Sequence, residues 1–132
     1  MDSPMEWNLV VANRIVARVV VSDTMVGWLR PRLTDHRAQA IDEYQDATFD
    51  AALIPIWLAE LNRIRTELLG AARETIDRSQ RLPHDPATRA RILDELASRA
   101  CAAEPHWAAL LDAIGLLELA EEHGGSIDAL GD

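Results

Sequence analysis

Apolar residues recur at helical spacing along much of the chain, most clearly over residues 56–80. There Trp57, Leu61, Ile64, Leu68 and Ala71 follow one another at steps of four, three, four and three. Leu58, Leu69, Ala72 and Ile76 widen that stripe, while Glu60, Arg63, Glu67, Arg73, Glu74 and Asp77 fall mostly outside it. The pattern is that of an amphipathic helix with an apolar face broad enough to need cover from two directions.

The flanking segments read as its partners. Ser3-Pro4-Met5-Glu6 is a helix-start signal, with Ser3 as cap, Pro4 at the first position and Glu6 closing a capping box. Trp7, Val11, Ile15 and Val19 then share one helical face, and Arg14, Arg18 and Ser22 follow at steps of four. The β-branched residues of 9–21 make a strand the competing assignment. The polar spacing favours a helix, because a half-buried strand would carry a polar residue at every second position. Ser22-Asp23-Thr24 recaps a second piece that ends at Arg30, before Pro31. Thr34 or Asp35 starts a helix through Ile41, Tyr44, Thr48 and Ala52, and Pro55 predicts a kink or break near residues 53–54. Asp85 caps a helix with Pro86 at its first position, carrying Ala90, Leu93, Leu96, Ala97 and Ala100. Pro105 opens the last helix, with Trp107, Leu110, Leu111, Ile114 and Leu117 on it and Gly124-Gly125 at its end. The expectation is an all-α, single-domain bundle of five to six helices with proline-marked connections over residues 1–125. A short C-terminal tail, 126–132, adds one turn or stays loose.

Composition narrows the function. The 132 residues suit one core, and 48% hydrophobic with 27% charged residues is an ordinary globular balance. All 13 basic residues are arginine, so chemistry that needs a lysine amine is out of reach. The net charge of −9 concentrates in residues 35–50, with one arginine against five acids, and in residues 105–132, with six acids and no base. Such surfaces repel duplex DNA and anionic membranes, so neither is an expected partner. The single Cys101 makes no internal disulfide, and Asp2 and Glu6 stand where a signal peptide would be basic. A soluble, cytoplasmic protein is expected, with no cofactor and no bound metal.

The most unusual polar pattern is Asp42, Asp46 and Asp50 at helical steps of four, with Glu43 beside them. Like charges at that spacing disfavour a helix by a few tenths of a kcal/mol per pair, roughly, so a cation or a basic partner could offset them. The alternative is a solvated face paired with Arg63, Arg65 or Arg73. Asp42-Glu43-Tyr44-Gln45-Asp46 resembles the aspartate-rich motif of isoprenoid synthases, which are much longer chains with a second such motif, missing here. It also looks like the first carboxylate cluster of the all-α nucleotide pyrophosphohydrolases. Their second cluster is ExxD, and here Glu60 is followed at that spacing by Arg63. Arg63, Arg65, Arg89 and Arg91 could converge on a carboxylate, as in the helical chorismate mutases, whose site also calls for a lysine. None of these resemblances carries a residue role to this chain. His36, His84, His106 and His123 show no metal-ligand spacing.

Two functional expectations result. The first is a non-enzymatic helical interaction or regulatory module acting through contacts with a protein partner or by homodimerisation, marked by an exposed apolar patch. The second is a small-molecule or catalytic pocket inside a bundle, lined by Trp57 and Tyr44 and anchored by Asp42, Asp46, Asp50, Arg63 or Arg65.

Overall fold

The computed structural model describes residues 5–41 and 46–131. It overturns the all-α expectation: the chain folds as mixed α and β, with a four-stranded antiparallel sheet and three long helices. The strands are β1 (Met5–Val11), β2 (Arg14–Val21), β3 (Ala47–Phe49) and β4 (Ser126–Leu130), ordered β2-β1-β4-β3. The helices are α1 (Asp23–Leu29), the four-residue α2 (His36–Gln39), α3 (Leu53–Ser79), α4 (Pro86–Ala102) and α5 (Trp107–His123), with a 3-10 turn at Arg30–Arg32.

The chain divides into two compact units: Met1–Asn62 with Ala109–Asp132, and Arg63–Ala108. In the first, one face of the sheet is buried. Its core rows are Met5, Trp7 and Leu9 on β1, Val21 on β2, Phe49 on β3, and Ile127 and Ala129 on β4. Trp7, Phe49 and Trp57 form an aromatic cluster with ring centroids 5.1–5.2 Å apart, two contacts edge-on and one stacked. Ile54 and Leu61 of α3, and Leu110, Ile114, Leu117 and Ala120 of α5, are buried in the same unit. Glu60 is buried too, and its carboxylate accepts from the Thr34 backbone N–H at 2.8 Å and from the Thr34 hydroxyl at 2.6 Å, fixing the chain ahead of α2. In the second unit, Ile64, Leu93, Ala97, Cys101 and Trp107 are buried. There Arg73 pairs with Asp94 at 2.7 Å, and Arg89 pairs with Asp77.

Where local signals were strong the elements follow them. Ser22 caps α1 through the Met25 N–H, and Asp85 caps α4 through the Thr88 N–H with Pro86 at the first position. After α5, Gly124 takes φ +63° and the Gly125 N–H donates to the Ala120 carbonyl at 2.8 Å, the closing bond of a Schellman turn.

Three segments differ. Residues 5–21 form a β-hairpin instead of a helix. The helix expected from residue 34 to 52 is cut to α2, and the Arg30 guanidinium and the Gln39 amide donate to the carbonyls of Ile41 and Leu33 on either side of it, each at 2.6 Å. Ala47–Phe49 is strand instead, which seats Phe49 between the two tryptophans. Pro55 then makes no kink: it lies in the first turn of α3, where its missing N–H has no intrahelical partner to lose. Finally, 126–130 is neither a turn nor loose but β4, one of the two inner strands, paired on both sides.

Candidate functional site

The hairpin is joined by a two-residue turn in which Ala12 and Asn13 have φ of 52° and 64°. Left-handed conformation at both positions matches the twist of the flanking strands. Pairing runs Met5↔Val21, Trp7↔Val19 and Leu9↔Ala17, then slips so that Val10 faces Ile15. Val16 is the extra residue, a β-bulge on β2.

Because opposed residues share a face, this register sorts the side chains. Trp7, Leu9, Ala17, Val19 and Val21 look into the core. Glu6, Asn8, Val10, Ile15, Arg18 and Val20 look outward, joined by Ser126, Asp128 and Leu130 of β4 and Thr48 of β3. One polar row crosses this outer face, Arg18 to Asn8 to Asp128 to Thr48, and the Thr48 hydroxyl donates to Asp128 Oδ1 at 3.2 Å. Asn8 in that row is only 2% exposed, and its Oδ1 has no hydrogen-bond partner among the described residues.

The rest of β2 is apolar and open. Ile15 is 50%, Val16 59% and Val20 57% exposed. Among the described residues no strand pairs with the far side of β2, so every second residue of this eight-residue strand turns a backbone donor and acceptor to an edge with no strand beside it. That is the geometry by which extended chains join a sheet. Arg14 and Arg18, the only charged residues on β2, are exposed and make no ion pair or hydrogen bond among the described residues.

The residues singled out from sequence lie elsewhere. Asp42 and Tyr44 fall outside the described residues. Asp46 and Asp50 do not share a helical face; they flank β3. Asp46 Oδ1 accepts from the Gly131 N–H at 2.9 Å, and Asp50 Oδ1 accepts from Ala52 and Leu53 at 3.0 Å each, capping α3. Trp57 is 1% exposed within the aromatic cluster. Arg63 and Arg65 belong to the second unit, where Arg63 pairs with Glu67 at 3.1 Å and Arg65 is half-buried. Among the described residues no three His, Cys, Asp or Glu side chains come together as a metal site.

The second unit has two grooves of its own. One, of about 340 Å³, is lined by Thr66, Leu69, Gly70 and Ala97, and its polar groups Arg73 and Asp94 already neutralise each other. The other, of about 160 Å³, holds Leu68, Ala72, Cys101 and Trp107, where burial pushes the Cys101 thiol above its ordinary pKa and so away from the reactive thiolate. No helix of the described residues is long and apolar enough to cross a membrane. Comparisons with protein-family models, with curated proteins and with solved structures find no match.

Sequence reasoning passed over Ile15, Val16, Arg18 and Val20 as a site. The signal was there in the β-branched run RIVARVVV after Ala12-Asn13, a pair with one residue suited to left-handed backbone.

Proposed function

We propose that the protein is an interaction module that recruits an extended segment of a partner chain by strand addition to the free edge of β2. The observation that carries this reading is the exposure of Ile15, Val16 and Val20 on an unpaired edge strand. Soluble proteins usually blunt such edges by shortness, charge or cover, because an open apolar edge invites pairing. Main-chain hydrogen bonds would supply affinity, and the outward side chains of β2 would select the sequence accepted. The module acts by binding and not by catalysis, with a protein as its partner and no nucleic acid. The net charge of −9 and the lack of lysine support that choice of partner. A cytoplasmic location belongs to the same reading, supported by the single cysteine.

Selection of a random-peptide display library against the whole chain tests the proposal, with the Val16→Lys/Val20→Lys double variant as counter-target. Enriched peptides are expected to alternate apolar positions and to lose binding to the double variant. Enrichment that ignores the two lysines, or no enrichment at all, argues that β2 is not the working surface.

A further inference from the structure

Resting on the strand-addition reading, we infer that the strand β2 accepts is acidic: an extended segment with a carboxylate opposite Arg18 and apolar residues two positions to either side. Arg14 and Arg18 give β2 a purely basic character in a chain with 22 acids and 13 arginines. Both arginines are exposed and lack ion pairs or hydrogen bonds among the described residues. Arg18 looks out from the edge, and its cross-strand neighbour within the sheet is the uncharged Asn8. The place for a counter-charge is therefore the strand not yet present. Opposite charges on directly facing residues favour pairing, and like charges oppose it. Val16 and Val20, more than half exposed on either side of Arg18, set the apolar positions of the incoming strand.

The same features disfavour a second copy of this chain. The bulge at Val16 reverses which face residues 14–15 present relative to 17–21, so no antiparallel self-pairing matches faces along the whole strand. One face-matched self-register, Ala17 with Val19, sets Arg18 against Arg18 of the copy, and the other, centred on Val19, sets Arg18 against Val20 and leaves it without a counter-charge. Two chains of net charge −9 would also have to approach each other. A heterologous strand escapes the face mismatch and the Arg18–Arg18 contact, and one carboxylate in it supplies Arg18 with a counter-charge.

The test is an NMR titration of the ¹⁵N-labelled whole chain with two capped peptides, Thr-Val-Thr-Glu-Thr-Val-Thr and its Lys-centred counterpart, at low ionic strength. The amides of residues 14–21 report binding at β2. The Glu peptide is expected to bind roughly fivefold tighter than the Lys peptide, with the ratio shrinking as salt rises. In Arg18→Glu, a change at an exposed position, the preference is expected to reverse. Equal binding of the two peptides at β2 overturns the acidic preference while leaving strand addition standing. If neither peptide moves the β2 amides, strand addition and the acidic preference fall together. Sedimentation as a dimer with the β2 amides protected from exchange would make a second copy the occupant and overturn the inference.

Discussion

The two edges of the one sheet are built in opposite ways. β3 is three residues long, carries the polar Thr48 outward, and is flanked by Asp46 and Asp50, whose carboxylates hold the Gly131 N–H and the first turn of α3. Shortness and flanking acids are the usual means of closing an edge. β2 is eight residues long, with three large β-branched side chains at least half exposed, and its only charges are two arginines that make no ion pair among the described residues. Solubility therefore does not require an open edge here, since the same sheet shows a closed one. The contrast makes β2 the place to look for a partner.

The largest expected effect abolishes the contrast by removing what both edges lean on. Trp7 on β1 contacts Phe49 of β3 and Trp57 of α3 through its ring, and pairs across the hairpin with Val19. Trp7→Ala should cost about 3–5 kcal/mol in urea unfolding. A loss under about 1 kcal/mol would show that the cluster does not carry the sheet.

Next is Gly125, where β4 leaves α5. A Cβ there would stand 2.7 Å from the Val10 carbonyl oxygen and 3.0 Å from Val11 Cγ2, against backbone that cannot move aside cheaply. Gly125→Ala should destabilise by about 1–3 kcal/mol and spread β1 from β4 at the Val10–Ser126 end of their pairing. Unchanged stability and unshifted amides at residues 9–11 would contradict the close approach.

The hairpin turn offers a gain. Ala12 is held at φ 52°, a region that L side chains with a Cβ enter at a cost. Ala12→Gly relieves that strain against a looser unfolded chain, for a net gain of about 0.5–1 kcal/mol. A loss in the same unfolding assay would mean that the turn is not left-handed at residue 12.

How these elements hid in the sequence explains why the helices were legible and the sheet was not. α3, α4 and α5 each show a helical apolar stripe, and α4 and α5 also carry their own stop or start signs: Asp85-Pro86 and Gly124-Gly125. The usual mark of a half-buried strand is a polar residue at every second position, which β1 shows only at Glu6 and Asn8. β2 departs from it because Ile15, Val16 and Val20 are apolar and exposed, which is the property that now marks β2 as a site. Arg14 and Arg18 added a false cue. Their spacing of four looks helical, yet it arises across the Val16 bulge, and the two residues belong to opposite faces. Likewise Asp46 and Asp50 fit a helical step of four while serving as the two ends of a strand too short to register as periodic. Pairing of β4 with β1 joins residues more than a hundred positions apart, which no local pattern encodes.

A pH series separates the sheet from the second unit. The Asp85 carboxyl is held below its ordinary pKa by the hydrogen bonds from the Thr88 hydroxyl and N–H. A depressed folded-state value means the cap contributes fully above the unfolded value of about 3.9 and is lost as pH falls through the lower folded one. Asp85→Asn should therefore flatten the decline of stability below about pH 4, while leaving the β2 amide shifts unaltered. An unchanged acid slope would mean the cap is not coupled to folding.

The smallest effect on stability is the most informative about function. Val20→Lys on β2 and Thr48→Lys on β3 both place a cation on an exposed outward position, one on each edge. Both should stay within about 0.5 kcal/mol of the parent, the usual range for surface changes away from special features. Binding should then divide them. Val20→Lys removes the apolar neighbour of Arg18 and, at high salt where the added cation's attraction for the glutamate is screened, is expected to weaken the Glu-centred peptide severalfold or more, whereas Thr48→Lys should leave its affinity alone. If Val20→Lys cost 2 kcal/mol or more, Val20 would be a packing residue, and β2 would be no freer than β3. If both variants bound the peptide like the parent, the asymmetry between the edges would be real in shape and irrelevant to recognition. Only the divided result, with stability equal and binding unequal, ties the open edge to a partner and not to folding.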